Sequence, residues 1–268
     1  MGCTPTSSEH PTRCAATVAG MDLGITGRRA AVAGASGGLG LATAKALAAA
    51  GVHVAICGRN SERLAAAAAT VGHDCVPIVC DVSSAEGGEE FVRAATSALG
   101  GVDILVANAG GPPPGDFAST PVDLYHTGLD LSLMSVVGMC KAAVPAMQAQ
   151  QWGRVVAITS ISVRQPIGTL ILSNTARAGV TGFLKTVATE VARDGVTVNS
   201  AQPGIHATDR MTQLYGGTPD ADALGIPAGV VGDPDDFGHV VAFLCSEHAK
   251  FITGAALQID GGAYGGLL

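Results

Sequence analysis

The sequence predicts a single-domain α/β protein, a doubly wound parallel sheet of about seven strands with helices on both faces. Three observations carry this. From residue 28 onward, short apolar runs alternate with helical stretches about six times. The strand runs are continuously apolar instead of alternating, as expected when both faces of a sheet are covered. No linker-like stretch divides the 268 residues, a length that suits one large domain.

The elements follow in order. Ala30–Ala33 is a first strand, followed by Gly34-Ala35-Ser36-Gly37-Gly38-Leu39-Gly40 and a helix to Ala50. Val52–Cys57 is apolar and partly β-branched, hence a strand; Ser61–Val71 is Ala-rich and helical. Cys75–Cys80 is a third strand, closed by Asp81. Ser84–Leu99 reads as a helix, with Ser83 or Ser84 as N-cap and Glu86, Glu89 and Glu90 near its positive end. Ile104–Ala107 is a strand, and a long helical region follows it to about Gln151, with Tyr125 and His126 ahead of the long helix. Val155–Thr159, Val196–Ala201 and Ala256–Ile259 complete the strands; Thr169–Arg193 and Phe237–Ser246 read as helices. Ile205–Val231 is the least regular stretch. It reads either as a mobile lid over a site or as an inserted surface loop.

Composition bounds the function. With 47% hydrophobic and 14% charged residues the chain is not disordered, and 37 glycines without a triplet period exclude collagen. A net charge of −7 argues against a nucleic-acid binder with a broad basic surface. No apolar run was expected to reach the roughly 18 residues of a membrane span. Seven cysteines, odd in number and scattered, read as free thiols of a reducing cytoplasm, with no metal site. Residues 1–22 are rich in Ser, Thr and Pro. They read as a disordered tail, although Met1, Gly2 and Thr6 formally match a myristoylation pattern.

Two motifs carry chemistry. Gly34, Gly38 and Gly40, with Ser36 and Leu39 between them, lie between a first strand and a first helix, where backbone approach and free N–H groups suit a pyrophosphate. Arg59 ends the second strand, where the adenosine ribose of a dinucleotide is met; no Asp or Glu occurs between Gly51 and Ser61. An arginine there suits a 2′-phosphate, which favours NADP(H) over NAD(H). A solvent-facing arginine at the start of a helix is the competing explanation.

Further motifs lie at matching positions: Asp81-Val82 after the third strand, Asn108-Ala109-Gly110 after the fourth, Ser160 after the fifth, Pro203-Gly204 after the sixth, and Thr253-Gly254 with Asp260-Gly261-Gly262 near the end. With the glycine loop they resemble the short-chain dehydrogenase/reductase family, in particular its 3-oxoacyl-acyl-carrier-protein reductase branch. The resemblance spans about residues 23–262. It implies a Rossmann-type domain over 23–268 with a substrate lid near 205–231. It also implies hydride transfer between a nicotinamide and a small carbonyl or alcohol substrate. By resemblance, Asp81 and Val82 lie near the adenine, Asn108, Ala109 and Gly110 line the cofactor channel, and Pro203 and Gly204 border the nicotinamide. A homotetramer or homodimer is implied, built on the helices at Leu131–Gln150 and Thr169–Arg193. Ala142, Ala143, Ala146, Ala176, Gly179 and Gly182 would allow close approach there, unless they serve the protein's own core.

The sequence departs from this family where the proton relay should be. The family's Tyr and Lys positions fall on Ser173 and Arg177, its Asn position falls near Ser132, and only Ser160 matches. No tyrosine lies between Tyr125 and Tyr215. A Ser hydroxyl is a far weaker acid than a phenol near pKa 10, and a guanidinium stays protonated. Ser-Asn-x-x-Arg together with Asn108-Ala109-Gly110-Gly111-Pro112-Pro113 resembles an atypical subgroup of the family. Three readings remain: an active reductase with another proton source, a cofactor-binding sensor or partner subunit, or a site diverted to elimination or cyclisation. His206 is either a proton donor or an exposed lid residue. Pro112–Pro114 is either a rigid pocket wall or a surface loop, and Arg164 either meets an acidic substrate or faces solvent.

Overall fold

Seven strands form one parallel sheet in the order β3-β2-β1-β4-β5-β6-β7 in the computed structural model, which describes residues 21–267 apart from His73. The strands are β1 (Arg29–Val32), β2 (His53–Gly58), β3 (Val76–Val79), β4 (Ile104–Ala107), β5 (Gly153–Ile158), β6 (Val196–Pro203) and β7 (Ala256–Ile259). The helices are α1 (Gly38–Ala49), α2 (Ser61–Val71), α3 (Ala85–Leu99), α4 (Val122–Leu129), α5 (Ser135–Ala149), α6 (Ile171–Val191), α7 (Asp209–Tyr215) and α8 (Pro234–Leu244). The predicted fold class is the one observed. The expected tail lies almost wholly outside the described residues.

Both faces of the sheet are covered, which is why its central strands read as unbroken apolar runs. Ala31, Leu105 and Val155 face Phe91, Met139 and Leu184 of α3, α5 and α6. Ala30, Ile104 and Val156 face Leu47, Leu64 and Val241 of α1, α2 and α8. The edge strands differ: β3 alternates between half-buried and exposed residues. The helix starts follow side-chain chemistry. Ser84 Oγ accepts from the Gly87 N–H and Asn60 Oδ1 from the Arg63 N–H. Asp233 caps α8 and Pro234 fills its first position, which explains why this helix begins earlier than its apolar run.

The order of the strands reverses between β1 and β4. Val32 pairs with Val106, so the loops that follow these two strands begin side by side. This is the crevice where a doubly wound sheet binds its ligand. At the opposite end, Arg29 grips Asp103 with two side-chain hydrogen bonds of 2.8 and 2.7 Å. Burial pushes the Asp103 carboxyl up, but hydrogen bonds from Arg29 and Gln150 outweigh it and hold the group below the ordinary carboxylate range.

Three expectations change. The long helical region does not start after Gly111. Three prolines lack N–H donors, and Asp116 closes a turn by accepting from the Ser119 N–H at 2.8 Å, so helix begins only at Val122. Tyr125 and His126 therefore lie inside α4. A π-helical turn, Asp130–Met134, then separates α4 from α5. The continuous helical stretch Val122–Ala149 has a window of mean hydropathy 1.4, apolar enough by length and composition to cross a membrane, contrary to the expectation from sequence. Its apolar face is a core face: Met139, Cys140, Ala143 and Met147 are buried against the sheet and α3. Ala143 and Ala176 are likewise buried in the protomer's own core, so they leave the expected oligomer surface; Ala146, Gly179 and Gly182 remain exposed.

Candidate active site and cofactor cleft

Because every strand is parallel, the loops after their C-terminal ends gather along one edge of the sheet. Gly34 and Gly38 have φ of +57° and +56°, which only glycine adopts without strain. A Cβ on Gly40 would lie 2.6 Å from the Gly34 carbonyl oxygen. Asn108 Nδ2 donates to the carbonyls of Ala33 (3.2 Å) and Gly34 (3.1 Å), so the loop after β4 holds the glycine loop in shape. The α1 N-terminus has no side-chain cap and its first N–H groups face the cleft, a phosphate cradle.

Two cavities share this loop. The smaller, about 330 Å³, is lined by Ser36, Gly58, Arg59, Asp81, Val82 and Gly110 among others. The larger, about 490 Å³, begins at Gly34, Ser36, Gly38, Leu39 and Asn108 and runs past Ala109 and Gly110 to Ser160, Ser173, Arg177, Pro203 and Gly204. Together they have the extent and chemistry for a dinucleotide: an adenosine end at Arg59, a phosphate cradle at the glycine loop and a reacting end at Ser160. Gly40 lies beneath the loop, not on the cavity wall.

At the reacting end, Ser160 sits in the turn after β5, its Oγ accepting from the Ser162 N–H at 3.1 Å. Ser173 is buried in the first turn of α6, and its hydroxyl has no hydrogen-bond partner among the described residues. One turn later, Arg177 Nη1 donates to the carbonyls of Ile158 and Thr159, both at 2.9 Å. Burial pushes the Arg177 guanidinium down to about 10, and the like charge of Arg210 acts the same way. It remains a cation at neutral pH. Ser132 does not join them. It is buried within the π-helical turn, its hydroxyl lacking a partner, and lines neither cavity.

Other expectations resolve differently. His206 is not an exposed lid residue: it is 4% exposed, edge-to-face with Phe237 at 5.1 Å, and lines the larger cavity. Burial lowers its pKa; a hydrogen bond to Gly204 and the charge of Asp233 oppose this in part. Pro112 and Pro114 line the cavity, and the chain beyond them is anchored. Gly115 donates to the Thr169 carbonyl and accepts from the Ile171 N–H, at 2.8 and 3.1 Å. Arg164 faces away, over the ring of Tyr264. The irregular stretch 205–231 contains α7 and is pinned at its base, where Gly232 donates to Ile205 and accepts from Ala207.

The sequence reading missed Arg63, Thr208, Arg210 and Tyr215, all on the cavity wall. Arg63 lies in the first turn of α2, two residues into the helix, where it reaches back toward the glycine loop at Gly37. Thr208 caps α7 and lies against Gly38. Arg210 and Tyr215 carried no such signal, since only the lid's path brings them over the site.

A family described as enoyl-(acyl carrier protein) reductase matches residues 34–264. The chain is 33% identical over 247 residues to the 3-oxoacyl-acyl-carrier-protein reductase of Vibrio cholerae, covering 90% of this chain and 99% of that one. It belongs to the short-chain dehydrogenase/reductase family. Among solved structures, L-sorbose reductase from Gluconobacter frateurii, complexed with NADPH and L-sorbose, superposes with a TM-score of 0.85 at 31% identity, covering 92% of this chain and 100% of that one. An NADPH-bound short-chain oxidoreductase from Pseudomonas aeruginosa PAO1, described as containing an atypical catalytic center, gives 0.83 at 30% identity, with 89% and 97% covered. The chain is thus an oxidoreductase by family.

Proposed function

We propose that this short-chain dehydrogenase/reductase transfers hydride between NADP(H), in preference to NAD(H), and a carbonyl or alcohol carbon, using a proton relay without the family's Tyr/Lys pair. The observation that carries this is spatial. Ser160, Ser173 and Arg177 line the same cavity as the glycine loop, so the altered positions still face the place where a nicotinamide would end. Arg59 supports the phosphorylated cofactor: it lines the smaller cavity and, among the described residues, has no carboxylate within 4.0 Å. The Pseudomonas relative, with its atypical center, was itself solved with NADPH.

The bound nicotinamide would supply or accept the hydride. The chain's own residues hold the substrate oxygen. The Ser160 hydroxyl and the Arg177 guanidinium place donor groups where negative charge develops on that oxygen, the kind of stabilisation that contributes most in a water-poor site. Arg177 orients the oxygen and, as a cation at neutral pH, holds positive charge beside it. The proton reaches the oxygen through Ser173 and water. The protein acts as a cytoplasmic homodimer or homotetramer through the remaining outer faces of α5 and α6, on a small-molecule substrate, without nucleic acid or membrane.

The test is a pair of titrations followed by a screen. NADPH and NADH binding are measured, then NADPH oxidation across carbonyl compounds. Turnover that Ser160→Ala abolishes, and that the double variant Ser173→Tyr/Arg177→Lys restores or raises, supports a diverted reductase. Tight NADPH binding without turnover on any carbonyl class favours the sensor or partner-subunit reading. Activity abolished by the double variant means that the site uses a chemistry of its own. Failure to bind either nucleotide sinks the proposal.

A further inference from the structure

The larger cavity carries more positive charge than its cofactor end can use. Arg63 lies at the glycine loop, where a Cβ on Gly37 would sit 3.3 Å from its guanidinium. With the α1 N-terminus, that already meets a pyrophosphate. Arg210 stands elsewhere, on α7, with its guanidinium packed over Gly111, where any added Cβ would collide with it. Arg177 faces the same space with one nitrogen committed to two carbonyls and its remaining N–H groups unused. None of these three arginines has a carboxylate within 4.0 Å among the described residues, although Asp209 also lines the cavity. Arg210 bears electrostatically on Arg177, so the two cations repel each other at the end marked by Ser160 and Ser173. Like charges held together in a partly desolvated cleft are relieved by an anion, and guanidinium groups suit a planar or tetrahedral oxyanion best.

Resting on the oxidoreductase reading, we propose that Arg210, with the free N–H groups of Arg177, binds an anionic oxygen group of the substrate, a carboxylate or a phosphate, so that the enzyme acts on acidic carbonyl or alcohol compounds. Because Arg210 already packs over Gly111, a bound anion also fastens α7 in place beside the Gly110-Gly111 loop. The substrate then enters tail outward, past the exposed apolar side chains of Leu214 and Ile167 at the rim.

The probes are short- and medium-chain 2-oxo and 3-oxo carboxylic acids, each beside its methyl ester, titrated into NADPH-saturated protein by calorimetry. The acids are expected to bind at least about tenfold more tightly than their esters, in line with a charge-assisted pair. Arg210→Gln is expected to bring that ratio toward one, and Arg210→Lys to keep part of it. Equal affinity of acids and esters, or no binding by either, overturns the inference. So does an NADPH Kd that rises more than about threefold in Arg210→Gln, since Arg210 would then be a clamp for the cofactor's phosphates. A wild-type protein that binds no NADPH sinks the oxidoreductase reading and this inference together. NADPH binding without acid preference sinks this inference alone.

Discussion

Arg59 and His206 show how far single side chains determine behaviour here. Arg59 is exposed beside the smaller cavity and, among the described residues, has no carboxylate within 4.0 Å, so its charge is available to a 2′-phosphate. Hydrogen bonds to charged groups are worth about 1.5–3 kcal/mol. Arg59→Ala should therefore weaken NADPH binding about tenfold to a hundredfold while changing NADH binding by less than about threefold; fluorescence titration of both nucleotides checks this. An equal loss for both would move the selectivity elsewhere, with Arg63 the next candidate. His206 is buried with its pKa held below the ordinary histidine value. The unfolded chain takes up that proton near pH 6.5, the folded chain only at lower pH. Below about pH 6.5 the unfolded state thus binds more protons, and stability falls as pH falls until the folded value is passed. His206→Gln should lower the melting temperature overall, yet its further drop between about pH 7.5 and pH 5 should be smaller than the wild type's; an identical drop would assign the acid limb to other groups. The same lowered pKa leaves His206 neutral at pH 7, a poor candidate for the missing acid. The place of Arg59 beside the smaller cavity was legible because it depends only on chain position after β2. The burial of His206 was not, because it follows from Phe237 and Gly232, which arrive from a distant segment.

Helix spacing explains a few of the glycines. A Cβ on Gly138 of α5 would collide with the Ala85 carbonyl at the start of α3, and one on Gly238 of α8 would lie 2.5 Å from the Ala42 carbonyl of α1. These pairs bring helices to within backbone contact on opposite faces of the sheet, fixing the heights of the loops that form the cleft. Gly138→Val should therefore destabilise by about 2–3 kcal/mol, the range of core overpacking. Gly182→Ala on the outer face of α6 meets open space within the protomer but stands on the face proposed to pack against a second subunit, so it should destabilise the assembly by about 1–3 kcal/mol, the range of overpacking. Denaturant midpoints at constant slope test both; a neutral Gly138→Val would mean that α3 and α5 slide freely, and a neutral or stabilising Gly182→Ala would mean that no second subunit packs there. The elements themselves were legible where the local signals agreed. Ser61–Val71 and Ile104–Ala107 match residue for residue, because Asn60 caps the first and an apolar run between two loops bounds the second. The π-helical turn at Asp130–Met134 was not legible, since nothing in Asp-Leu-Ser-Leu-Met breaks a helical pattern. The short α7 was hidden by Gly and Pro on its far side, although Thr208 and Asp209 form an ordinary helix start.

Across the whole molecule the cleft is built from loops that follow six of the seven strands, so the sheet alone does not hold those loops together. Asn108 ties the loops after β1 and β4, Arg177 ties α6 to the end of β5, and the Gly232 pairing ties the lid base to the end of β6. Among the described residues no hydrogen bond or ion pair joins Arg59 or Asp81 directly to Ser160. A dinucleotide spanning the two cavities would add a link between them. Any ligand that binds the folded form alone stabilises it by about 2.7 kcal/mol at a hundred times its Kd. For a chain of this length that corresponds to a rise in melting temperature of roughly 5–10 °C. NADPH should produce a rise of this size and NADH a smaller one at the same concentration. The order of loss should follow the geometry. Gly40→Val closes the phosphate cradle from beneath and should remove the NADPH shift. Arg59→Ala should reduce it toward the NADH value. Ser173→Ala removes a hydroxyl that has no hydrogen-bond partner among the described residues, and should leave it nearly intact while abolishing turnover. If Ser173→Ala instead lost the thermal shift along with Gly40→Val, the reacting end would be part of the nucleotide grip, and the division between a binding half and a chemical half of this cleft would be wrong.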